Sequence, residues 1–297
     1  MDILFGPVPS RRYGRSLGID LVPMKTCCYD CLFCQLGPTP QTTCDRRDYV
    51  PIPEVFRALE AWRASGVEAD VLTLCGSGEP TLHAHFGDVL RWIRETLNKP
   101  TLLMSNGALF AAPDVRRDAA LADRVKISLH FWDEAGFRQI VRPHPALRFA
   151  DILDGWRVFR EAYSGKLDIE FFALPGLNDA PEQLERVREL MISLRPDTVT
   201  VNSAVRPPAD AAVRAVPPER LDALRDFFAG VAAMRQAAPV VTPEPYSEEA
   251  LLALARRHPM TPEQFAGVFG VSPETVRAVL QRHAADDPHA ARALLRR

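Results

Sequence analysis

The sequence lacks any long apolar run and any excess of charge of one sign. Its 297 residues hold no stretch of about 18 apolar residues, the length that a membrane-spanning helix requires. Thirty-six Lys and Arg balance 38 Asp and Glu, which gives a formal net charge of −2. No global field would therefore attract nucleic acid or an anionic membrane, and such a partner would have to be held locally.

The beginning of the sequence lacks the apolar core of a signal peptide, because residues 1–13 carry prolines and arginines instead. The spacing of a disulfide framework is also missing: four of the six cysteines fall within eight residues, while Cys44 and Cys75 stand apart. We therefore expect a cytoplasmic protein without a membrane partner, whose thiols stay reduced and whose clustered cysteines bind metal.

Six short apolar runs alternate with helical patterns. The runs lie at residues 17–22, 71–74, 101–104, 124–130, 167–174 and 198–201. Helical periodicity separates them, as in 53–64, 86–97 and 181–194, and Asn178 and Asp179 are expected to cap the last of these helices. Parallel strands with right-handed crossovers predict the α/β class, with an incomplete (β/α)6 TIM-like barrel whose functional loops follow the strands.

Three prolines, at positions 239, 243 and 245, predict a linker between two units. We expect a barrel domain over residues 1–240 and a small winged-helix or helix-turn-helix-like appendage over 246–297. Its helices are predicted at 247–257, 261–269 and 273–283, and Thr261 with Gln264 predicts a capping box at the start of the second helix. Residues 247–297 contain seven arginines and six acidic residues, a net charge of only about +1. DNA binding by these helices is therefore not expected.

Three cysteines have the spacing C-x-x-x-C-x-x-C, namely Cys27, Cys31 and Cys34, and Phe33 precedes the last of them. Three thiolates on one loop can hold three irons of a cubane cluster and leave the fourth iron open, whereas a structural zinc site needs a fourth ligand. The adjacent Cys28 is poorly placed to reach the same metal. The pattern favours a cluster, and a zinc knuckle or a set of buried thiols is the alternative.

A second polar segment, Ser77-Gly78-Glu79-Pro80, follows the second predicted strand. Glycine allows the backbone to approach a ligand closely, and Glu79 offers an acceptor for an ammonium group. Thr81 occupies the position of the third glycine in G-x-G-x-x-G, so a dinucleotide site is excluded. An ordinary strand-to-helix turn is the alternative.

Further polar residues end the later strands and are candidates for the same rim. They are Ser105, Asn106, Ser128, His130, Arg142 and Asn202. Lys126, Ser128 and His130 alternate with apolar residues and are predicted to face the barrel interior. For each candidate a structural role is the alternative, such as a turn, a structural histidine or a surface ion pair.

These residues resemble the radical S-adenosylmethionine (radical SAM) superfamily, whose cluster motif has this cysteine spacing and this aromatic residue. The resemblance implies a [4Fe–4S] cluster on Cys27, Cys31 and Cys34, and a reduced electron donor of the flavodoxin or ferredoxin type. It implies SAM bound at the strand ends by Ser77, Gly78, Glu79, Ser105, Asn106, Ser128, Arg142 and Asn202. The matching segment of the family is usually Gly-Gly-Glu-Pro, and Ser77 departs from it.

A narrower resemblance, to the tRNA wyosine-synthesis radical enzymes, makes a tRNA base one candidate substrate. It is carried by Phe5–Arg12, Gly14–Asp20, Gly78–Leu82, Arg142–His144 and Pro175–Asp179. The arginines Arg11, Arg12 and Arg15 would suit RNA phosphates, a SAM carboxylate or surface ion pairs. With only four lysines, and Cys28, Cys44 and Cys75 beyond the motif, a second cluster and the wyosine reaction itself are not expected.

The expectation is a radical SAM enzyme that generates a 5′-deoxyadenosyl radical and abstracts hydrogen from its substrate. An RNA, a small metabolite and a protein remain open as substrates. The alternative from another class is an iron–sulfur redox-sensing regulator that binds DNA through the C-terminal helices.

Overall fold

The structure is a computed structural model that describes residues 3–10, 12–206, 208–234, 246–257, 260–291 and 294. Arg11 and the predicted linker prolines lie outside the described residues. Within the described part, no helix is both long enough and apolar enough to cross a lipid bilayer.

One eight-stranded sheet forms the centre of the described chain, and its strands are neighbours in chain order. They are β1 (Leu4–Ser10), β2 (Gly14–Ile19), β3 (Val71–Leu74), β4 (Thr101–Met104), β5 (Arg124–Ser128), β6 (Lys166–Phe172), β7 (Thr198–Asn202) and β8 (Ala233–Met234). Strands β2 to β8 pair in parallel, whereas β1 pairs antiparallel with β2. The carboxyl ends of the parallel strands therefore meet at one edge, where the polar loops gather.

Helices connect the strands along the outer face of the sheet. They are α1 (Ile52–Ala64), α2 (Phe86–Trp92), α3 (Pro113–Ala119), α4 (Glu134–Val141), α5 (Phe149–Ala162), α6 (Pro181–Leu194) and α7 (Pro218–Phe228). The side chains of β6 alternate between the apolar core under the helices and a polar inner face of the sheet. Phe171 is buried and its ring lies 5.1 Å from that of Phe228 on α7, whereas Asp168 and Glu170 point to the opposite, polar face.

The six predicted strands correspond to β2 through β7. The two edge strands, β1 and β8, were not predicted. The helix predicted over 86–97 is α2 followed by a π-helical turn at Ile93–Leu97, and helices α3, α4 and α5 were not assigned from the sequence. Strand β1 was missed because it contains Gly6, Pro7 and Pro9, residues that are uncommon inside strands. An edge strand tolerates them, since it pairs with β2 on one side only.

The C-terminal residues form a second, smaller core. The helical unit, the described residues from 246 to 294, contains α8 (Glu248–Arg257), α9 (Pro262–Phe269), α10 (Pro273–His283) and α11 (Pro288–Ala291). Its apolar cluster includes Leu251, Phe265 and Val276 together with Phe5 of β1. The predicted capping box is present, because the Thr261 N–H donates to Gln264 at 3.0 Å. The unit therefore packs against the edge of the sheet.

Candidate active site

The cysteine loop, residues 20–51 between β2 and α1, carries the three predicted ligands. Cys27, Cys31 and Cys34 are partly exposed. The Lys25 ammonium donates to Cys34 Sγ at 3.1 Å, and the Asn106 amide donates to Cys27 Sγ at 3.5 Å. A cation and an N–H donor both stabilise a thiolate ligand, so two of the three sulfurs lie beside groups that suit a metal-bound thiolate.

Cys28 is fully buried and occupies a different environment from its neighbour. Burial raises the pKa of the Cys28 thiol well above its ordinary value, and its hydrogen bonds to Cys27 and Cys44 act in the same direction. The same hydrogen bonds lower the pKa values of Cys27 and Cys44. Cys28 therefore acts as a protonated donor between two other sulfurs. Cys44, which stands apart in sequence, comes next to the cysteine cluster in space.

The donor set fits an iron–sulfur cluster. Among the described residues, no three His, Cys, Asp or Glu side chains converge on the position of a single metal ion. A cubane cluster makes a different demand, because each thiolate binds a different iron. Three partly exposed thiols on one loop, with Lys25 and Asn106 donating to two of them, meet that demand.

Phe33 attaches the cysteine loop to the ends of β5 and β6. Its ring stacks on Phe172 with centroids 4.4 Å apart, and meets the ring of His130 edge-on at 4.8 Å. The Phe172 N–H donates to His130 Nδ1 at 2.9 Å, so the neutral ring carries its proton on Nε2. Burial lowers the pKa of His130 to about 4. At neutral pH this histidine is an uncharged N–H donor beside the cysteine loop.

The glycine loop, Cys75–Glu79, turns the chain where β3 ends and lies directly against the cysteine loop. The Glu79 N–H donates to Thr26 O at 3.0 Å, and the Lys25 N–H donates to Ser77 O at 2.7 Å. A Cβ atom on Gly78 would lie 1.9 Å from Thr26 O, closer than any side chain permits. Only glycine allows the two loops to approach each other in this way.

Glu79 joins the end of β3 to the end of β4. Its carboxylate is buried and accepts hydrogen bonds from the Thr81 N–H and hydroxyl at 3.1 and 2.7 Å. It also accepts from the Ser105 hydroxyl and the Asn106 N–H, both at 2.7 Å. Burial raises the pKa of Glu79, and these hydrogen bonds oppose the rise. The predicted SAM ligand thus holds Asn106, which in turn reaches Cys27.

The other predicted rim residues are distributed over two environments. Asn202 accepts from Arg12 and donates to Glu170, so it belongs to a polar network on the inner face of the sheet. Ser128, at the end of β5, is paired in register with Glu170 and is partly exposed. Arg142 instead forms ion pairs with Asp210 at 3.1 Å and with Asp30 at 3.8 Å. For Arg142 the surface ion pair that the sequence left open is what the structure shows.

The network around Glu170 was not predicted as a unit. Lys126 Nζ lies 3.0 Å from Glu170 Oε2. Burial would raise the pKa of Glu170, but the positive charges of Lys126 and Arg12 outweigh it and hold the value at about 2. Period-two alternation placed Lys126 on the inner face, and the same rule applied to β6 could have found Glu170.

Asn178 has a different role from the predicted helix cap. It is fully buried, and its amide donates to His130 O at 2.8 Å and Phe172 O at 2.9 Å. Its oxygen accepts from the Leu174 N–H at 2.7 Å. Helix α6 begins after Ala180, whose N–H donates to the Gln183 side chain. The expectation that Asn178 and Asp179 cap this helix is therefore wrong, because Asn178 joins the ends of β5 and β6.

Asn178→Ala should destabilise the fold by roughly 3 kcal/mol, because it removes three hydrogen bonds of a buried side chain and leaves their backbone partners without it. Urea unfolding followed by circular dichroism measures this change as a lower midpoint. Asp179→Ala is the matched control: its exposed carboxylate accepts one bond from Gly176, so a loss below about 1 kcal/mol is expected. Equal losses in the two variants would contradict the role of Asn178.

Comparison with known proteins adds to this geometry. A family model described as the radical SAM superfamily matches residues 21–191. A UPF0026 protein of Methanocaldococcus jannaschii is 33% identical over 231 residues, which cover 77% of this chain and 71% of that protein. A protein of Brachyspira hyodysenteriae named GTPase Obg is 28% identical over 285 residues, and the chain spans only 42% of its length.

The fold also matches a solved structure. A radical SAM methyltransferase from Sphaerobacter thermophilus superposes with a TM-score of 0.55 and 18% identity, over 74% of this chain and 66% of that one. At this identity the similarity concerns the fold alone. It confirms the predicted α/β class with a parallel partial barrel, and the small C-terminal helices are present as well.

Proposed function

The chain belongs to the radical SAM superfamily and to the UPF0026 family, and from that premise we propose that it cleaves SAM reductively at a [4Fe–4S] cluster. The superfamily implies SAM and such a cluster, and the chain is a radical SAM enzyme. The finer proposal assigns Cys27, Cys31 and Cys34 as the cluster ligands. When bound, the cluster supplies the electron that converts SAM into methionine and a 5′-deoxyadenosyl radical, which abstracts hydrogen from the substrate.

The contacts of Asn106 are the main support for the proposed site. Asn106 donates its backbone N–H to the Glu79 carboxylate at 2.7 Å and its side-chain amide to Cys27 Sγ at 3.5 Å. The glycine loop, the end of β4 and the cysteine loop thus meet at a single residue. We propose that SAM binds where they meet, against Ser77, Gly78 and Glu79, with Ser105 and Asn106 beside them.

The proposal extends to the later strand ends. We propose that Ser128 and Asn202 complete the SAM site or the neighbouring substrate site from β5 and β7, and that Arg142 closes its outer edge. We propose that Phe33, which stacks on Phe172 and meets His130 edge-on, shields this side of the cysteine loop from water. Neutral His130 can donate a hydrogen bond from Nε2 without placing a cation beside the sulfonium of SAM.

The substrate and the electron donor are proposed only as chemical classes. We propose a reduced donor of the flavodoxin or ferredoxin type, and a tRNA base as one candidate substrate. The alternative of a DNA-binding regulator has no support in the comparisons. The arginines described in the helical unit also pair with carboxylates, as Arg277 does with Glu263 and Arg282 with Glu248. These pairs compete with phosphate contacts.

Anaerobic reconstitution tests the proposed reaction. Protein loaded with iron and sulfide, then given dithionite and SAM, should release methionine and 5′-deoxyadenosine in equal amounts, measured by liquid chromatography. A sample without dithionite should release neither, because the cleavage needs an electron. Protein that holds about four irons per chain and still forms no 5′-deoxyadenosine would refute the proposal.

A further inference from the structure

Helix α8 of the helical unit ends in a side chain that reaches into the sheet. Arg257 is 3% exposed, and its Nε donates at 2.8 Å to Asp20, which is 1% exposed. Arg257 also donates to Ala253 O at 3.1 Å, and its guanidinium lies 5.0 Å from the centre of the Phe5 ring. A buried ion pair of this kind contrasts with the exposed pairs that Arg277 and Arg282 make.

Asp20 connects this ion pair to the glycine loop. The Ser77 N–H lies 3.1 Å from each carboxylate oxygen of Asp20, and the Ser77 hydroxyl donates to the oxygen that binds Arg257. Gly76, with a φ of +138°, packs so closely that a Cβ atom there would lie 2.6 Å from the Asp20 carboxyl carbon. The position of this carboxylate therefore determines the path of the glycine loop.

The backbone of Arg257 contacts the other loop of the site. Gln35, which follows Cys34 directly, donates its side-chain amide to Arg257 O at 2.8 Å. Cys75, the first residue of the glycine loop, packs against the apolar core of the helical unit. The end of α8 is thus in contact with both the cysteine loop and the glycine loop.

We propose that Arg257 is a positioning residue for SAM binding: through Asp20 and Ser77 it holds the glycine loop in the conformation that receives SAM. This inference rests on the proposed function, in which Ser77, Gly78 and Glu79 bind SAM. Without the guanidinium, Asp20 would be a buried carboxylate without its counter-charge, and its movement toward water would release Ser77. The helical unit then stabilises the active site from outside: Arg257 fixes the Asp20 carboxylate, and that carboxylate fixes the Ser77 hydroxyl.

Arg257→Ala tests the positioning role of Arg257 with a measurement that needs no cofactor. In the full chain without cluster or SAM, hydrogen–deuterium exchange of the peptide containing the Ser77 amide should become about tenfold faster, because its acceptor is no longer fixed. Arg256→Ala is the matched control. Arg256 pairs with Asp287 inside the helical unit at 2.6 Å, so its loss should leave this exchange unchanged.

SAM affinity provides the second readout. In reconstituted protein, Arg257→Ala should raise the Kd for SAM about tenfold in equilibrium dialysis at an unchanged iron content, because a small displacement of a binding loop is costly. Arg256→Ala should bind SAM like the wild-type protein. Wild-type protein that binds no SAM would refute the proposed function, whereas the exchange experiment would still decide whether Arg257 holds the loop.

Conservative variants keep the test valid if Arg257→Ala does not fold. Arg257→Lys retains the charge but lacks the donor geometry of the guanidinium, so exchange at Ser77 and the Kd for SAM should fall between wild type and Arg257→Ala. Arg256→Lys is its control and should match the wild type. If the Arg257 and Arg256 variants show the same exchange at Ser77 and the same Kd, Arg257 has no positioning role.

Discussion

Cys31→Ala should abolish 5′-deoxyadenosine formation, with a loss of at least about a thousandfold that reaches the background of the assay. Two cysteines cannot hold a cluster that needs three protein thiolates and one iron open to SAM. The iron content and the visible absorption of the reconstituted protein should fall together with the activity. These two measurements separate loss of the cluster from loss of SAM binding.

Cys44→Ala is the matched control for this variant. Cys44 is also a partly exposed thiol near the cysteine cluster, but its hydrogen bond is to the buried Cys28. Its replacement should leave the iron content and the 5′-deoxyadenosine yield within about twofold of the wild-type values, as for a change away from the reacting groups. If Cys44→Ala loses the cluster and Cys31→Ala keeps it, the ligand assignment is wrong.

Gly78→Ala should have the second largest effect, a rise of about a hundredfold in the Kd for SAM. The added Cβ would lie 1.9 Å from Thr26 O, so either the glycine loop or the start of the cysteine motif must move. A displacement of about 1 Å at a binding site costs on this order. Equilibrium dialysis of the reconstituted protein measures the affinity, and iron analysis shows whether the cluster is also disturbed.

Gly230→Ala controls for the loss of a glycine as such. A Cβ atom at Gly230 meets nothing within 4 Å, so this variant should bind SAM like the wild-type protein. Thermal unfolding of both variants shows whether either change acts through global stability. A folded Gly78→Ala protein with unchanged SAM affinity would remove the glycine loop from the proposed binding site.

Features that depend on neighbouring residues in the sequence could be predicted well. The spacing of Cys27, Cys31 and Cys34, the alternation of apolar runs with helices, and the capping box of Thr261 and Gln264 are local patterns. The confirmed fold class follows from such patterns, since parallel strands need crossover helices. Helices α3 and α4 are only seven and eight residues long, too short for a clear helical period. Helix α5 does carry apolar residues at helical spacing, namely Phe149, Ile152, Trp156 and Phe159, so this helix could have been predicted.

The partners of polar side chains near the strand ends could not be predicted, because those partners are distant in sequence. Arg142 stays a candidate in the proposed site, and its ion pair with Asp210, 68 positions away in sequence, is a contact that only the fold supplies. Asn178 was expected to cap α6, but backbone groups of His130 and Phe172 were nearer once β5 and β6 had paired. In both cases the polar group took the partner that the packing of the sheet offered.

The sequence by itself determined the cysteine motif, the six central strands β2 to β7, and the residue types that end each of them. The tertiary structure alone decided which of those residues meet. Asn106 joins Glu79 to Cys27, Cys44 lies beside Cys28, and Arg257 pairs with Asp20 across 237 positions of sequence. Hydrophobic periodicity records whether a residue is buried, but the partner of a buried charge depends on how distant elements pack.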